Sequence, residues 1–158
     1  MEPGVVLAVY LAPRACAEPV AVDQADATPG RGLAGDRYSN GTGTFFEDGK
    51  TGQDLTLIEA EALQALREEH DIHLPAGEAR RNVVTRGIRL NDLVGKRFVI
   101  GDVICRGDRL CDPCSHLERL TEDGVLKGLA ERGGLRADVI VGGCIRPGDT
   151  VREMTKDA

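Results

Sequence analysis

Apolar residues in this chain come mostly as short β-branched runs, each cut off within a few positions by glycine, proline or a Gly-Asp pair. Runs of that length suit strands rather than long helices, and the twenty glycines and seven prolines supply the turns between them. Val5 to Ala12, ended by Pro13, reads as a first strand, and Val20 to Thr28 as a second. Leu55 to Ile58 reads as a short buried strand and Arg80 to Thr85 as another. Arg97–Ile100 and Val103–Arg106 form a predicted hairpin about Gly101-Asp102. The chain closes with Ala137 to Val141 and Cys144 to Arg152, broken at Gly142-Gly143 and Pro147-Gly148-Asp149. Glu59 to His70 is the clearest helix, with Ala62, Leu63, Ala65 and Leu66 on one face. Two shorter helices are expected near Ser115–Leu120 and Asp123–Arg132.

Strands and helices do not alternate regularly, which disfavours a doubly wound parallel sheet. The expected fold is mainly β with α insertions: a mostly antiparallel, partly closed β-barrel. One domain, residues 4–152, with a short tail at 153–158, fits the length of 158 residues. Aromatics are 3% of the chain, so Val, Leu, Ile and Ala must build the core.

The net charge of −6 argues against nucleic acid or an anionic membrane as partner. No apolar run approaches the length of a membrane span, and no signal peptide is visible at Met1-Glu2-Pro3-Gly4. Five cysteines at irregular spacing do not make a secreted disulfide framework, so a reducing cytoplasm is expected. Sixteen of the twenty cations are Arg, whose planar fork grips phosphate or carboxylate at two points.

The segment Arg109-Leu110-Cys111-Asp112-Pro113-Cys114-Ser115-His116-Leu117-Glu118 carries the strongest local signal. Ser115 and Glu118 have capping-box spacing, so a helix is predicted to begin just past Cys114. Free backbone N–H groups and the positive end of a helix there favour thiolate over thiol. Such a sulfur suits nucleophilic attack, persulfide carriage or a soft metal. A thioredoxin-like pair with Cys111 ranks second, because that motif belongs in a βαβ unit. A zinc site lacks two further ligands at regular spacing. Cys16, Cys105 and Cys144 read as small buried hydrophobes. Arg80-Arg81-Asn82 opens a strand and is either a solvated entry or an oxyanion clamp. Gly35-Asp36-Arg37, within a glycine-rich stretch from 29 to 53 that reads as one long turn-rich loop, is neither a Walker loop nor a dinucleotide fingerprint.

Taken in order, several segments resemble the MOSC domain, the molybdenum cofactor sulfurase C-terminal family. They are Gly35-Asp36-Arg37, Leu55-Thr56-Leu57-Ile58 with its helix, Arg80-Arg81-Asn82-Val83-Val84 followed by Gly87-Ile88, Leu93-Val94-Gly95, Gly101-Asp102, Pro113-Cys114 and Gly148-Asp149. The resemblance implies a β-barrel that binds the molybdenum cofactor (molybdopterin), with Cys114 as reactive group and sulfur ligand to the metal. It places cofactor-binding roles on Arg80, Arg81, Asn82, Asp36 and Arg37. It implies an oxidoreductase acting on N-hydroxylated substrates with a separate electron-donor protein, or a persulfide sulfur carrier fed by a cysteine desulfurase. A non-catalytic cofactor-binding or sensor module is the third alternative. The family's pyridoxal-phosphate desulfurase domain has no counterpart in these residues, and Cys111 is an additional thiol.

Overall fold

In a computed structural model, the described residues are 3–11, 20–34, 54–70, 81–110 and 134–154. Eleven strands and one α-helix are found among them. The strands are β1 (Gly4–Leu11), β2 (Val20–Val22), β3 (Ala25–Thr28), β4 (Gly32–Leu33), β5 (Leu55–Glu59) and β6 (Val83–Arg86). After them come β7 (Arg97–Ile100), β8 (Val103–Leu110), β9 (Leu135–Val141), β10 (Gly143–Ile145) and β11 (Thr150–Glu153). Helix α1 (Ala60–His70) follows β5 directly.

Seven strands form a closed barrel in the order β11-β7-β8-β9-β5-β6-β1, and β1 pairs back onto β11 at Gly4↔Val151 and Val5↔Thr150. Closure leaves no bare edge in the ring. β2 is appended along the far half of β1, at Val9↔Val22 to Leu11↔Val20. All the pairings are antiparallel except β5 with β6, where Leu57↔Val83 and Ile58↔Val84 run side by side. Parallel neighbours need a long crossover, and here it carries α1. A second sheet, β10-β3-β4, packs beside the barrel.

Alternation sorts each strand into two faces. Leu55 and Leu57 of β5 and Val83 of β6 point into the interior cluster with Val6, Val9 and Leu135. Ile58 and Val84 point the other way and are still buried, because α1 lies over them with Ala62 inward. Phe98 is the one aromatic residue in the interior cluster, which is otherwise aliphatic apart from Cys105. Each such fully buried Leu, Ile or Val contributes about 1.5–3 kcal/mol over leaving it in water.

Three expectations need correction. Val20 to Thr28 is two strands, because the chain turns at Asp23-Gln24 and sends β2 to the barrel and β3 to the second sheet. The first part of the glycine-rich stretch includes a strand, β4, held to β3 by Ala27↔Leu33 and Thr28↔Gly32. Cys144 is only half-buried: it pairs with exposed Asp26, while its neighbour Ile145 pairs with buried Ala25 and takes the core face. The helices expected near Ser115–Leu120 and Asp123–Arg132 lie outside the described residues.

Two acidic side chains stitch elements together from β5 and α1. Glu59 Oε2 accepts the Leu90 N–H at 3.3 Å, and Glu61 Oε2 accepts the Gly87 N–H at 2.8 Å. They tie the connection after β6, which ends in a 3-10 turn at Leu90–Leu93, to the start of the helix. At the other end of β5, buried Asp54 accepts two backbone N–H groups on one oxygen, from Gly30 at 3.0 Å and Val139 at 2.8 Å. That carboxylate joins the β3–β4 turn to β9.

Burial pushes the Asp54 carboxyl above its ordinary range; the two N–H donors pull it back in part, and the charge of Asp138 adds to the rise. Glu59 is raised as well, again chiefly by burial. A raised carboxyl favours the folded state while protonated and loses that contribution as pH climbs through the folded-state value. Since Asp54 accepts both N–H groups on one oxygen, an asparagine oxygen can take its place. Asp54→Asn is therefore expected to gain stability relative to wild type as pH rises from about 4 to 7. Urea unfolding of both proteins at the two ends of that range measures the gap. A stability difference, variant minus wild type, that falls with rising pH would contradict the assignment.

Candidate functional site

The site residues expected from the sequence fall unevenly on the structure. Arg81 and Asn82 are described; Cys114, Cys111, Arg80, Asp36 and Arg37 lie outside the described residues. Arg81, just before β6, is 8% exposed and is not without a partner. A guanidinium so far from water must be paired to be tolerated.

Asn82 is 2% exposed and ties three strands together. Its Oδ1 accepts the Thr56 N–H at 3.0 Å and the Thr56 hydroxyl at 3.2 Å. Its own N–H donates to Thr56 Oγ1 at 3.1 Å, and its Nδ2 donates to the Tyr10 carbonyl at 3.2 Å. The Tyr10 N–H returns a bond to the Asn82 carbonyl at 2.7 Å. An amide is suited to this junction because it offers an acceptor to β5 and a donor to β1 at once. These bonds fix where Arg81 emerges.

Thr56 and Asn82 sit on the face opposite Leu55, Leu57 and Val83, which is the outside of the barrel. The register carries that face further round. Thr56 pairs with Arg136 on β9, and Arg136 pairs with Arg109 on β8. A polar row thus crosses four adjacent strands: Arg109, Arg136, Thr56, Asn82. Sequence reasoning names Arg109 only as the start of the cysteine segment and passes over Arg136, since nothing local brings residues so far apart in the chain into register.

Register also locates the root of the cysteine segment. β8 ends at Leu110 and β9 begins at Leu135, and these two residues are paired. Leu57, the β5 partner of Leu135, is in turn paired with Val83, next to Asn82. The chain therefore leaves and rejoins the barrel on the strand block that carries the polar row.

Cys105 behaves as its sequence context suggests. It is fully buried on β8, and burial, helped by the charges of Asp54 and Asp138, pushes its thiol up to about 12. Such a sulfur stays protonated and does not act as a nucleophile near neutral pH. Among the described residues no cluster of three His, Cys, Asp or Glu side chains is arranged to hold a metal. No helix among them is long and apolar enough to cross a membrane.

Comparison with known proteins gives a consistent picture. No curated protein matches the sequence. A family model, that of the MOSC domain, matches residues 46–152, more than half of the chain. Among solved structures, the YUAD protein from Bacillus subtilis superimposes with a TM-score of 0.79 at 15% identity, over 95% of this chain and 94% of that one. YiiM from Geobacillus stearothermophilus gives a TM-score of 0.71 at 15% identity, over 98% and 76%. YiiM from Escherichia coli gives 0.70 at 16% identity, over 99% and 71%. At these identities the structural likeness is one of fold.

Proposed function

This chain belongs to the MOSC domain family, and from that premise we propose that it binds the molybdenum cofactor, with the Cys114 thiolate as sulfur ligand to the metal. Arg80 or Arg81 holds the cofactor phosphate in this reading. Asn82, through its bonds to β5 and β1, sets the position of Arg81. Asp36 and Arg37 join the binding residues through the family resemblance alone.

The observation that carries the reading is the shared strand block. Cys114 follows Leu110 by four residues, so a fully extended chain keeps it within about 14 Å of the end of β8. Neighbouring strands lie about 4.8 Å apart, which puts Asn82, three strands over, at a similar distance along the wall. The residue type agrees as well: a buried guanidinium suits an oxyanion better than a bare cation.

When bound, the cofactor supplies a two-electron centre able to remove oxygen from an N-hydroxylated substrate. That reaction would break the N–O bond, consume two electrons and two protons, and release an amine and water. A separate donor protein in the cytoplasm supplies the electrons. The chain's own contribution is to hold the metal by one sulfur and to clamp the phosphate from the barrel wall at Arg81.

Protein made in a host that synthesises the cofactor is expected to retain molybdenum through gel filtration. Cys114→Ser is expected to lower the retained metal at least about tenfold, as loss of a ligand should, with unchanged thermal unfolding of the apo protein. Elemental analysis reads the result. Wild-type molybdenum in the variant would end the ligand assignment.

A further inference from the structure

We propose that the outer face of β7, β8 and β9, at the end of the barrel marked by the Gly101-Asp102 turn, docks a second copy of this chain. The inward faces of these strands are given by the core, since Phe98, Ile100, Val103, Cys105 and Val139 all belong to the interior cluster. Alternation therefore turns Arg97 and Val99 on β7, and Ile104 and Arg106 on β8, outward. Val99 pairs with Ile104 and Ile104 with Val141, so these three stand in one row across the strands. The β8–β9 pairing slips here and makes Ile140 an extra residue, displayed beside Val141. Ile140 is 36% exposed and Val141 48%, whereas Ile58 and Val84, outward on β5 and β6, lie under α1. Aliphatic side chains displayed together on neighbouring strands mark an interaction surface in a way that single exposed ones do not.

The charges around the row point to its occupant. On one side of it Arg97 and Arg106 are exposed register partners. On the other, exposed Asp102 occupies the hairpin turn, and the Asp149 carboxylate lies 2.7 Å from where a Cβ on Gly101 would stand. Along β8 the order is thus acid, apolar, base: Asp102, Ile104, Arg106. A two-fold axis lying across the strands at Ile104 reverses that order in the second copy. Arg97 and Arg106 of each copy then face Asp102 and Asp149 of the other, while the aliphatic row meets its own equivalent. Such self-complementarity is what an isologous interface requires. An axis along the strands would set arginines against arginines, so the charges select one orientation. Asp138, in register with Arg106, is half-buried and not without a partner, and is no part of this pairing. Arg152 pairs with Val99 from β11, but two strands from β8 the curvature of the closed barrel turns it aside.

The face is small and convex, so the dimer is weak and concentration-dependent. It leaves the proposed binding region open. Leu110, where the cysteine segment departs, is six residues past Ile104 along β8, about 20 Å away. The inference rests on strand register and charge order and is independent of the cofactor.

Sedimentation velocity of the apo protein at low salt, from low micromolar to millimolar concentration, is expected to show a monomer–dimer equilibrium. Val141→Lys should abolish it. Asp102→Lys sets a lysine against Arg106, and Arg106→Glu sets a glutamate against Asp102. Each change acts twice in a symmetric dimer and should weaken association about tenfold. An equimolar mixture of these two variants should form a heterodimer as tight as the wild-type dimer, because every charge then faces its opposite. Unfolding at dilute concentration should be the same for all the variants, which separates lost docking from lost folding. A wild type that stays monomeric throughout would overturn the proposal and leave the face to a different protein or to none. A dimer indifferent to Val141→Lys would overturn it too, as would a mixture that associates no more tightly than either variant alone.

Discussion

Gly134→Ala is expected to yield no soluble folded protein. Gly134 precedes β9 with a φ of +108°, a backbone conformation that residues with a Cβ avoid. A methyl group there would also drive into the Leu57 carbonyl oxygen, a backbone atom with no freedom to move aside. The strain and the collision fall where β9 meets β5, at the Leu57↔Leu135 pair. The combined loss should exceed about 4 kcal/mol, a large part of the stability of a domain this size. Gly148→Ala is the informative companion. Its φ is +95°, but the space around it is open. It should cost only the backbone strain, about 1–2 kcal/mol. Soluble yield and urea midpoints compare the two. Similar losses at both positions would show that the close approach to Leu57 is not what matters.

The second large effect is expected at Asn82. Truncating it to alanine removes the acceptor for the Thr56 N–H and hydroxyl and the donor for the Tyr10 carbonyl, in surroundings with almost no water. Each buried group left unsatisfied costs about 1–3 kcal/mol. Asn82→Ala should therefore lose about 3–5 kcal/mol and lower the melting temperature by about 10 °C or more. Calorimetry of the apo protein tests this, because a residue that only contacts a ligand would leave apo stability untouched. An unchanged melting temperature would remove Asn82 from the framework and leave it only its family-implied binding role.

These two positions show what a sequence can and cannot disclose. The β7–β8 hairpin was legible because a Gly-Asp turn between two β-branched runs is a local signal, though β8 continues to Leu110, past the predicted end at Arg106. Helix α1 was legible from its apolar face. Leu55–Ile58 is legible as a buried strand from its short, mostly apolar run, which both the interior cluster and α1 explain. The division of Val20–Thr28 was not legible, since what separates β2 from β3 is their destinations in two different sheets. The 3-10 turn at Leu90–Leu93 has only four residues and polar ones at its centre, too few to show a period.

At the site the same division holds. The Arg-Arg-Asn cluster stood out as a run, but the partner that occupies Asn82 is Thr56, 26 residues away. Arg109 and Arg136 look unremarkable singly among sixteen arginines. Their meeting depends on the β8–β9 register, including its slip at Asp108, and register is a property of the closed barrel rather than of either strand.

The Leu110↔Leu135 pair has an evolutionary corollary. Because the two ends of the intervening stretch are clamped side by side, the wall of the barrel is complete without it, and hydrogen bonding between β8 and β9 does not depend on its length. Lengthening a connection whose ends are already joined costs little, about 0.6 kcal/mol per doubling. Relatives of this fold are therefore free to shorten, extend or rewrite that stretch, and with it whatever chemistry it carries, while the strands beneath keep the same pairing.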